Sequence, residues 1–463
     1  MERIVTEVLV IGGGPAGYVA AIRAGQLGFK TVLVEQKALG GTCLNVGCIP
    51  SKSLIHVAES FYQACSPSPF GLRVAGANLD VPMAVAWKDG IVQRLANGVS
   101  NLLKKQKVRV LKGRAEIRDG KSCIVSMDGG LQVLIETTHL VLAMGSAPAE
   151  LKALPFGGAV ISSADALGLT EVPKHLSVVG AGYIGIELGT AFAKLGAEVT
   201  MIEAAKRILP AWDAELTRPI TKRLKDLGVK VMTESLATGL SPEGEQLLVA
   251  QAETGVTTAI TSEKVLVAIG RRPCTEGSGL TRLDLDMNGP FVRIDRHCST
   301  SMRNVWAIGD LTGEPMLAHR AMAQAKMVAE RIAGMAVEFD HAAIPAICFS
   351  DPEIVSVGLL PAEAAAAGHA AMVTAFPFAG NGRALSQNDD SGFVRVVARA
   401  DTKQILGVQA VGREVSELST AFSLAIEMGA LLEDITGTIH AHPTRGEALQ
   451  EAAFGGLGKM LHS

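Results

Sequence analysis

The sequence predicts an α/β protein with two Rossmann-like dinucleotide-binding domains, and two observations carry that expectation. The opening VTEVLVIGGGPAGYVAAIRAGQLGFKTVLVEQ reads as a buried strand, a glycine turn, a helix and a second strand. HLSVVGAGYIGIELGTAFAKLGAEVTMIEA then repeats the same order. One register serves both copies: the same offset separates Gly12 from Gly180, Gly14 from Gly182, Gly17 from Gly185 and Glu35 from Glu203.

Each copy is G-x-G-x-x-G with an acid closing the second strand. The first glycine makes the turn, the second lets backbone N–H groups approach a pyrophosphate, and the third lets helix pack on strand. The helix N-terminus adds partial positive charge for the phosphates. The acid accepts from ribose hydroxyls and repels a 2′-phosphate. A single glycine fingerprint is a weak signal, because such turns also arise for structural reasons; two copies in one register are strong. After Glu203 come Ala204, Ala205 and Lys206 without an arginine cluster, which favours NAD over NADP in the second copy.

Two later segments read as returns of the chain to a nucleotide domain, and a third offers a polar strand end. LVLAMGSAP (140 to 148) and VLVAIGRRP (265 to 273) are buried strands running into the glycine turns at Gly145 and Gly270. VWAIGD (305 to 310) is an apolar strand ending in Asp310, which suits either a polyol or a turn cap. AEAAAAGHAAM (362 to 372) reads as Ala-rich helix without visible chemistry.

The whole chain narrows the function classes. Its 463 residues suffice for two to four domains. With 43 Lys and Arg against 46 Asp and Glu, the net charge of -3 offers no basic field for nucleic acid. Seven scattered cysteines are an odd, sparse set that argues for a reducing compartment. No stretch is long and apolar enough for a membrane helix, and the start lacks the basic region and cleavage site of a signal peptide. A soluble cytoplasmic protein without nucleic-acid or membrane partners is expected.

GGTCLNVGCIPSK (40 to 52) holds the chemistry. A zinc site calls for a second Cys or His pair at ligand spacing, and none follows Cys43 and Cys48. A structural clamp is disfavoured by the compartment, although the local loop could close one. A working redox couple remains, beside an expected helix over SKSLIHVAESFYQA whose N-terminus lowers a nearby thiol pKa.

These residues resemble the redox-active motif of the pyridine nucleotide-disulfide oxidoreductases, and Cys-Leu-Asn-Val-Gly-Cys-Ile-Pro-Ser-Lys resembles the dihydrolipoamide-oxidising branch of that family. The likeness runs on through GAGYIGIELG, GRRP, WAIGD, MLAHRA, DPEIVSVG and HAHPT. It implies FAD in the first fingerprint, NAD in the second, and an α+β C-terminal dimerisation domain. The implied layout is 1–148 and 273–343 for FAD, 149–272 for NAD and 344–463 for the interface. It further implies a homodimer in which Cys48 faces the flavin and Cys43 attacks a dithiol substrate, the two forming a disulfide in the oxidised state. Lys52 would pair with Glu187 near the flavin, and Asp310 would hold the ribitol. His442, oriented by Glu447, would be the general base serving the other subunit. The implied partner is a lipoyl-bearing carrier protein of a 2-oxo acid dehydrogenase complex. The wording is closest to the form serving branched-chain substrates, with the pyruvate, 2-oxoglutarate and glycine-cleavage systems open.

An imidazole takes and returns a thiol proton near neutral pH, and a carboxylate stabilises its cationic form, so His442 with Glu447 makes chemical sense apart from the resemblance. His440 and His319 are expected to be structural. Met144 stands where the family often has Thr, and Gly446 where it often has Ser. The rival readings are a glutathione-reductase-like enzyme, which Glu203 opposes, a mercuric-reductase-like one, whose vicinal C-terminal cysteines are missing from GGLGKMLHS, and a flavoprotein scaffold or redox sensor without turnover, which needs none of Cys43, Cys48, His442 and Glu447.

Overall fold

The computed structural model describes residues 1–462. Alternation of side chains along Glu2–Ile11 explains the first layer: Leu9 and Ile11 enter one apolar cluster while Val8 and Val10 enter another on the opposite face. This strand runs parallel to Thr31–Glu35, with Val8 opposite Thr31, and to Gln132–Leu142, with Val10 opposite Val141. Arg109–Asp119 extends the sheet beyond Thr31–Glu35, and Ser122–Met127 pairs antiparallel with both Arg109–Asp119 and Gln132–Leu142. Val305–Ala307, far along the chain, adds parallel to Leu140–Leu142, so the segment ending in Asp310 does return to the first sheet.

The second sheet is wholly parallel. His175–Val179 lies between Glu198–Ile202 and Lys264–Val267, with Lys230–Met232 and Val160–Ile161 outermost. Leu176 and Val178 pack under the helix Tyr183–Lys194, each contributing roughly 1.5–3 kcal/mol by burial. An antiparallel sheet of Ser235–Leu240, Gln246–Gln251 and Thr257–Thr261 covers the other face through Leu247 and Val249. The short pair Ser146–Pro148 and Arg271–Pro273 crosses between the two nucleotide layers.

The C-terminal layer is a five-stranded antiparallel sheet in the spatial order Ala346–Cys348, Glu353–Gly358, Ile405–Gly412, Phe393–Arg399, Ala371–Pro377. Phe376, Phe378 and Phe422 are fully buried among its strands and the helices Ser419–Glu427 and Glu447–Gly456.

Two local expectations shift. The Ala-rich stretch is helical only over Pro361–Ala366, because Gly368 takes a positive φ and the chain then enters the strand Ala371–Pro377. The helix expected from Ser51 begins earlier and spans Cys48–Cys65, Pro50 fitting in its first turn. Among the described residues, no helix is long and apolar enough to cross a membrane.

Candidate active site

Local backbone geometry delivers the two sulfurs to the first glycine turn. The helix Pro15–Gln26 starts after Gly14, and Gly40 N–H donates to the Gly13 carbonyl at 2.8 Å. Gly41 has φ +56°, and a Cβ there would meet Gly14 Cα at 2.6 Å, so only glycine permits the approach. From that contact a short helix, Gly41–Val46, carries Cys43; Gly47 breaks it, and Cys48 opens the long helix Cys48–Cys65. Asn45 fixes the bend by donating to the Leu39 and Gly41 carbonyls at 3.0 and 2.9 Å.

The two cysteines carry free thiols, Cys43 half-buried and Cys48 exposed. The neighbouring Cys43 thiol, as a hydrogen-bond donor to the ionised form, lowers Cys48 against the opposing effect of desolvation around the sulfur, and the Lys52 ammonium adds to the lowering, so Cys48 falls from an ordinary 9.0 to about 7. The same hydrogen bond, with burial and the charge on Cys48, pushes Cys43 far up. In the dithiol state the proton therefore stays on Cys43, and Cys48 is the sulfur that ionises, about half of it near pH 7.

Lys52, one turn into the helix, lies 2.9 Å from Glu187, which is only 5% exposed on the second fingerprint helix. Glu187 also accepts from the Phe349 N–H at 2.9 Å, and the Lys52 ammonium sits 4.4 Å from the centroid of the Phe349 ring. Phe349 belongs to the C-terminal layer and carried no signal in the sequence.

The two fingerprints have the same internal wiring. Glu35 accepts from Gly13 N–H and Lys37 N–H, both at 2.6 Å; Glu203 accepts from Ala181 N–H at 2.7 Å and Ala205 N–H at 2.8 Å. At Gly17 and Gly185, a Cβ would lie 1.7 Å from the Gly12 carbonyl oxygen and 1.9 Å from that of Gly180, which accounts for the third glycine of each motif. At Gly182 a Cβ would meet nothing within 4 Å. That open space belongs to a cleft of about 410 Å³ lined by Gly180, Gly182, Glu203 and Gly270. A glycine turn, a helix start and an acid along one cleft fit a dinucleotide.

Asp310 lies across the first turn. It accepts from the Ser146 hydroxyl, which in turn takes a 2.7 Å hydrogen bond from Arg271. Buried Gln324 accepts from Gly309 N–H at 2.8 Å, and Gly309 lies against Ala16. The turn Gly13–Ala16 thus stands between the cysteine segment and Asp310, an arrangement that fits a bound flavin dinucleotide. Gly145 turns at φ +69° next to Ser146, and Met144 packs into the apolar cluster beneath the sheet. Ser146, Arg271 and Gln324 escaped the sequence reading, although the first two lie directly after the glycine turns singled out there.

The histidine site is separate within one chain. His442 Nδ1 is 2.9 Å from Glu447 Oε1, and the ring is 78% exposed. Burial would raise Glu447, but the Thr444 N–H at 2.7 Å and the His442 ring hold its carboxyl below the usual range. Buried Asn381 braces the loop by donating to the Thr444 carbonyl at 3.0 Å. His440 meets the Ile435 carbonyl and His319 the Pro345 carbonyl, as structural residues do.

Comparison with known proteins agrees with this geometry. Residues 6–325 match the family model for pyridine nucleotide-disulphide oxidoreductase, and 344–453 match the dimerisation domain of the same family. The chain is 56% identical over 460 residues to the dihydrolipoyl dehydrogenase of Pseudomonas aeruginosa, covering 99% of this chain and 98% of that one. It is 46% identical to dihydrolipoyl dehydrogenase 2 of Haloarcula marismortui and 44% identical to the Geobacillus stearothermophilus dihydrolipoyl dehydrogenase, with the same coverage. Among solved structures it resembles LpdA of Mycobacterium tuberculosis, with a TM-score of 0.90 at 25% identity over 98% of this chain and 99% of that one. It also resembles the HOCl-induced flavoprotein disulfide reductase of Escherichia coli, with a TM-score of 0.85 at 26% identity over 96% of this chain and 99% of that one. The chain belongs to the pyridine nucleotide-disulphide oxidoreductase family.

Proposed function

We propose that this protein is a cytoplasmic homodimer that reoxidises dihydrolipoyl groups on the carrier protein of a 2-oxo acid dehydrogenase complex, with FAD and NAD as cofactors. What supports the reading above all is the contact of Gly40 and Gly41 with Gly13 and Gly14, which brings the segment that carries Cys43 and Cys48 to the first dinucleotide turn. Gly12, Gly14, Gly17, Glu35, Gly145 and Asp310 would hold FAD; Gly180, Gly182, Gly185, Glu203 and Gly270 would hold NAD.

In the oxidised protein a substrate thiolate attacks the Cys43 sulfur, and the Cys43–Cys48 bond breaks to leave Cys48 as thiolate. The second substrate thiol attacks the mixed disulfide and releases Cys43, closing the cyclic product. His442 of the partner subunit accepts the substrate proton, its imidazolium stabilised by the Glu447 carboxylate. Two electrons then reside on the cysteine pair, where Lys52 stabilises the negative charge on Cys48 and Glu187 keeps the ammonium in place. FAD, when bound, supplies the two-electron link between the dithiol and NAD.

Anaerobic titration of the FAD-loaded protein with dihydrolipoamide tests this. A long-wavelength thiolate-to-flavin band is expected in the wild type and lost in Cys48→Ser. Normal lipoamide turnover by Cys48→Ser overturns the reading.

A further inference from the structure

The helix Cys48–Cys65 and the second fingerprint helix Tyr183–Lys194 are packed side by side and joined by two ion pairs. The first is Lys52–Glu187, at the redox centre; the second is Glu59–Lys194. Each helix advances seven residues between the pairs, two turns or about 10.5 Å, so both run in the same direction with charges exchanged between rungs. A slip of one helix along the other breaks both rungs together.

The second rung is built around a buried ammonium with half-buried partners. Lys194 is 5% exposed and also lies 2.7 Å from Asp351, which accepts from Arg223 Nε at 2.7 Å; Arg223 stacks over Tyr62 of the first helix at 5.0 Å. Asp351 comes from the C-terminal layer, two residues beyond Phe349, whose backbone and ring hold Glu187 and Lys52. One short stretch, Phe349–Asp351, therefore clips both rungs. Nothing in the electron path uses Glu59, Lys194, Arg223 or Asp351, yet an ammonium this deeply buried is costly unless its partners are fixed.

We propose that Lys194 and Asp351 are positioning residues of the redox centre: the Glu59–Lys194–Asp351–Arg223 rung sets the register of the two helices and so fixes the place of the Lys52 ammonium beside Cys48. This rests on Cys48 as the working thiolate. Within one subunit the charged and titratable groups that act on Cys48 are Cys43, Lys52 and Glu187, with His442 of the partner subunit added in the dimer, and the rung acts on it only through Lys52 and Glu187.

The test uses the FAD-loaded dimer, reduced anaerobically with dihydrolipoamide and titrated with pH while the long-wavelength band is followed. In Lys194→Met the midpoint of the band is expected to rise by about half a pH unit, a fraction of the shift a nearby opposite charge produces. Lys194→Arg, which keeps the charge, is expected to return it to the wild-type value. A Lys194→Met midpoint equal to the wild type overturns the coupling. Should Lys194→Met fail to fold, Glu59→Gln takes its place, its carboxylate a third exposed, with the same rise supporting the proposal and its absence refuting it. A wild type without the band at any pH refutes instead the reading of Cys48.

Discussion

Lys52→Met probes the electrostatics of the redox pair most directly. A neighbouring opposite charge lowers an acid by roughly 1–3 units, and here the lower end applies, because Lys52 is 34% exposed and Glu187 cancels part of its field. A loss of about one unit moves Cys48 from about 7 to about 8 and cuts its thiolate fraction at pH 7 from roughly half to roughly one-tenth. Stability falls as well, since Glu187 is left buried without its cation. A fully buried pair broken on one side costs about 3–5 kcal/mol; Glu187 keeps the Phe349 N–H, so about 2 kcal/mol is expected. Pairing Lys52→Met with Glu187→Gln should recover most of that stability without restoring the thiolate. The assay is a pH titration of the reduced protein's long-wavelength band, with thermal unfolding run in parallel. A folded Lys52→Met protein whose midpoint stays within about 0.2 unit of the wild type refutes the assignment of Lys52 as the stabilising charge.

Four further outcomes are expected. Cys43→Ser should keep the long-wavelength band and lose dihydrolipoamide oxidation, whereas Cys48→Ser should lose both; spectra with turnover assays distinguish the two sulfurs. His442→Gln should slow dihydrolipoamide oxidation about a hundredfold or more, as loss of a general base does, with FAD binding intact. Glu447→Gln should slow it only about fivefold, from roughly 1 kcal/mol for a charge-assisted hydrogen bond to a ring open to solvent. Burial would raise Asp351, but Lys194 and Arg223 hold it below its ordinary 3.8, so the stability it contributes is fully present above pH 3.8 and fades as pH falls through the lower folded value. Asp351→Asn should therefore lower the melting temperature at pH 7, with the gap to wild type closing in acid.

The nucleotide layers were legible because their signals are local: a glycine turn, a flanking apolar strand and an acid all lie within about 30 residues of one another. The sulfur pair was legible for the same reason. The expected helix starts at Ser51, three residues late, because Pro50 reads as a residue ahead of the helix, whereas it fits inside the first turn that Cys48 opens. The Ala-rich stretch misled because propensity favoured helix beyond Gly368, where pairing of Ala371 and Met372 with the neighbouring strand prevails. Phe349, Gln324, Asn381 and the ion-pairing role of Asp351 were invisible for a different reason. Each acts through a contact with a residue remote in sequence, and no periodicity or spacing announces such a partner.

The duplicated fingerprint also records a divergence. In the shared register, Val19 and Gln26 of the first copy stand where the second has Glu187 and Lys194. The first copy's helix instead packs on Ala318–Ile332 and ties its Arg23 to Glu330. The cradle of glycines is common to both halves, while two buried positions, two turns apart, are charged in the second alone. Of two halves built alike for nucleotide binding, only the second carries the face that attends to sulfur.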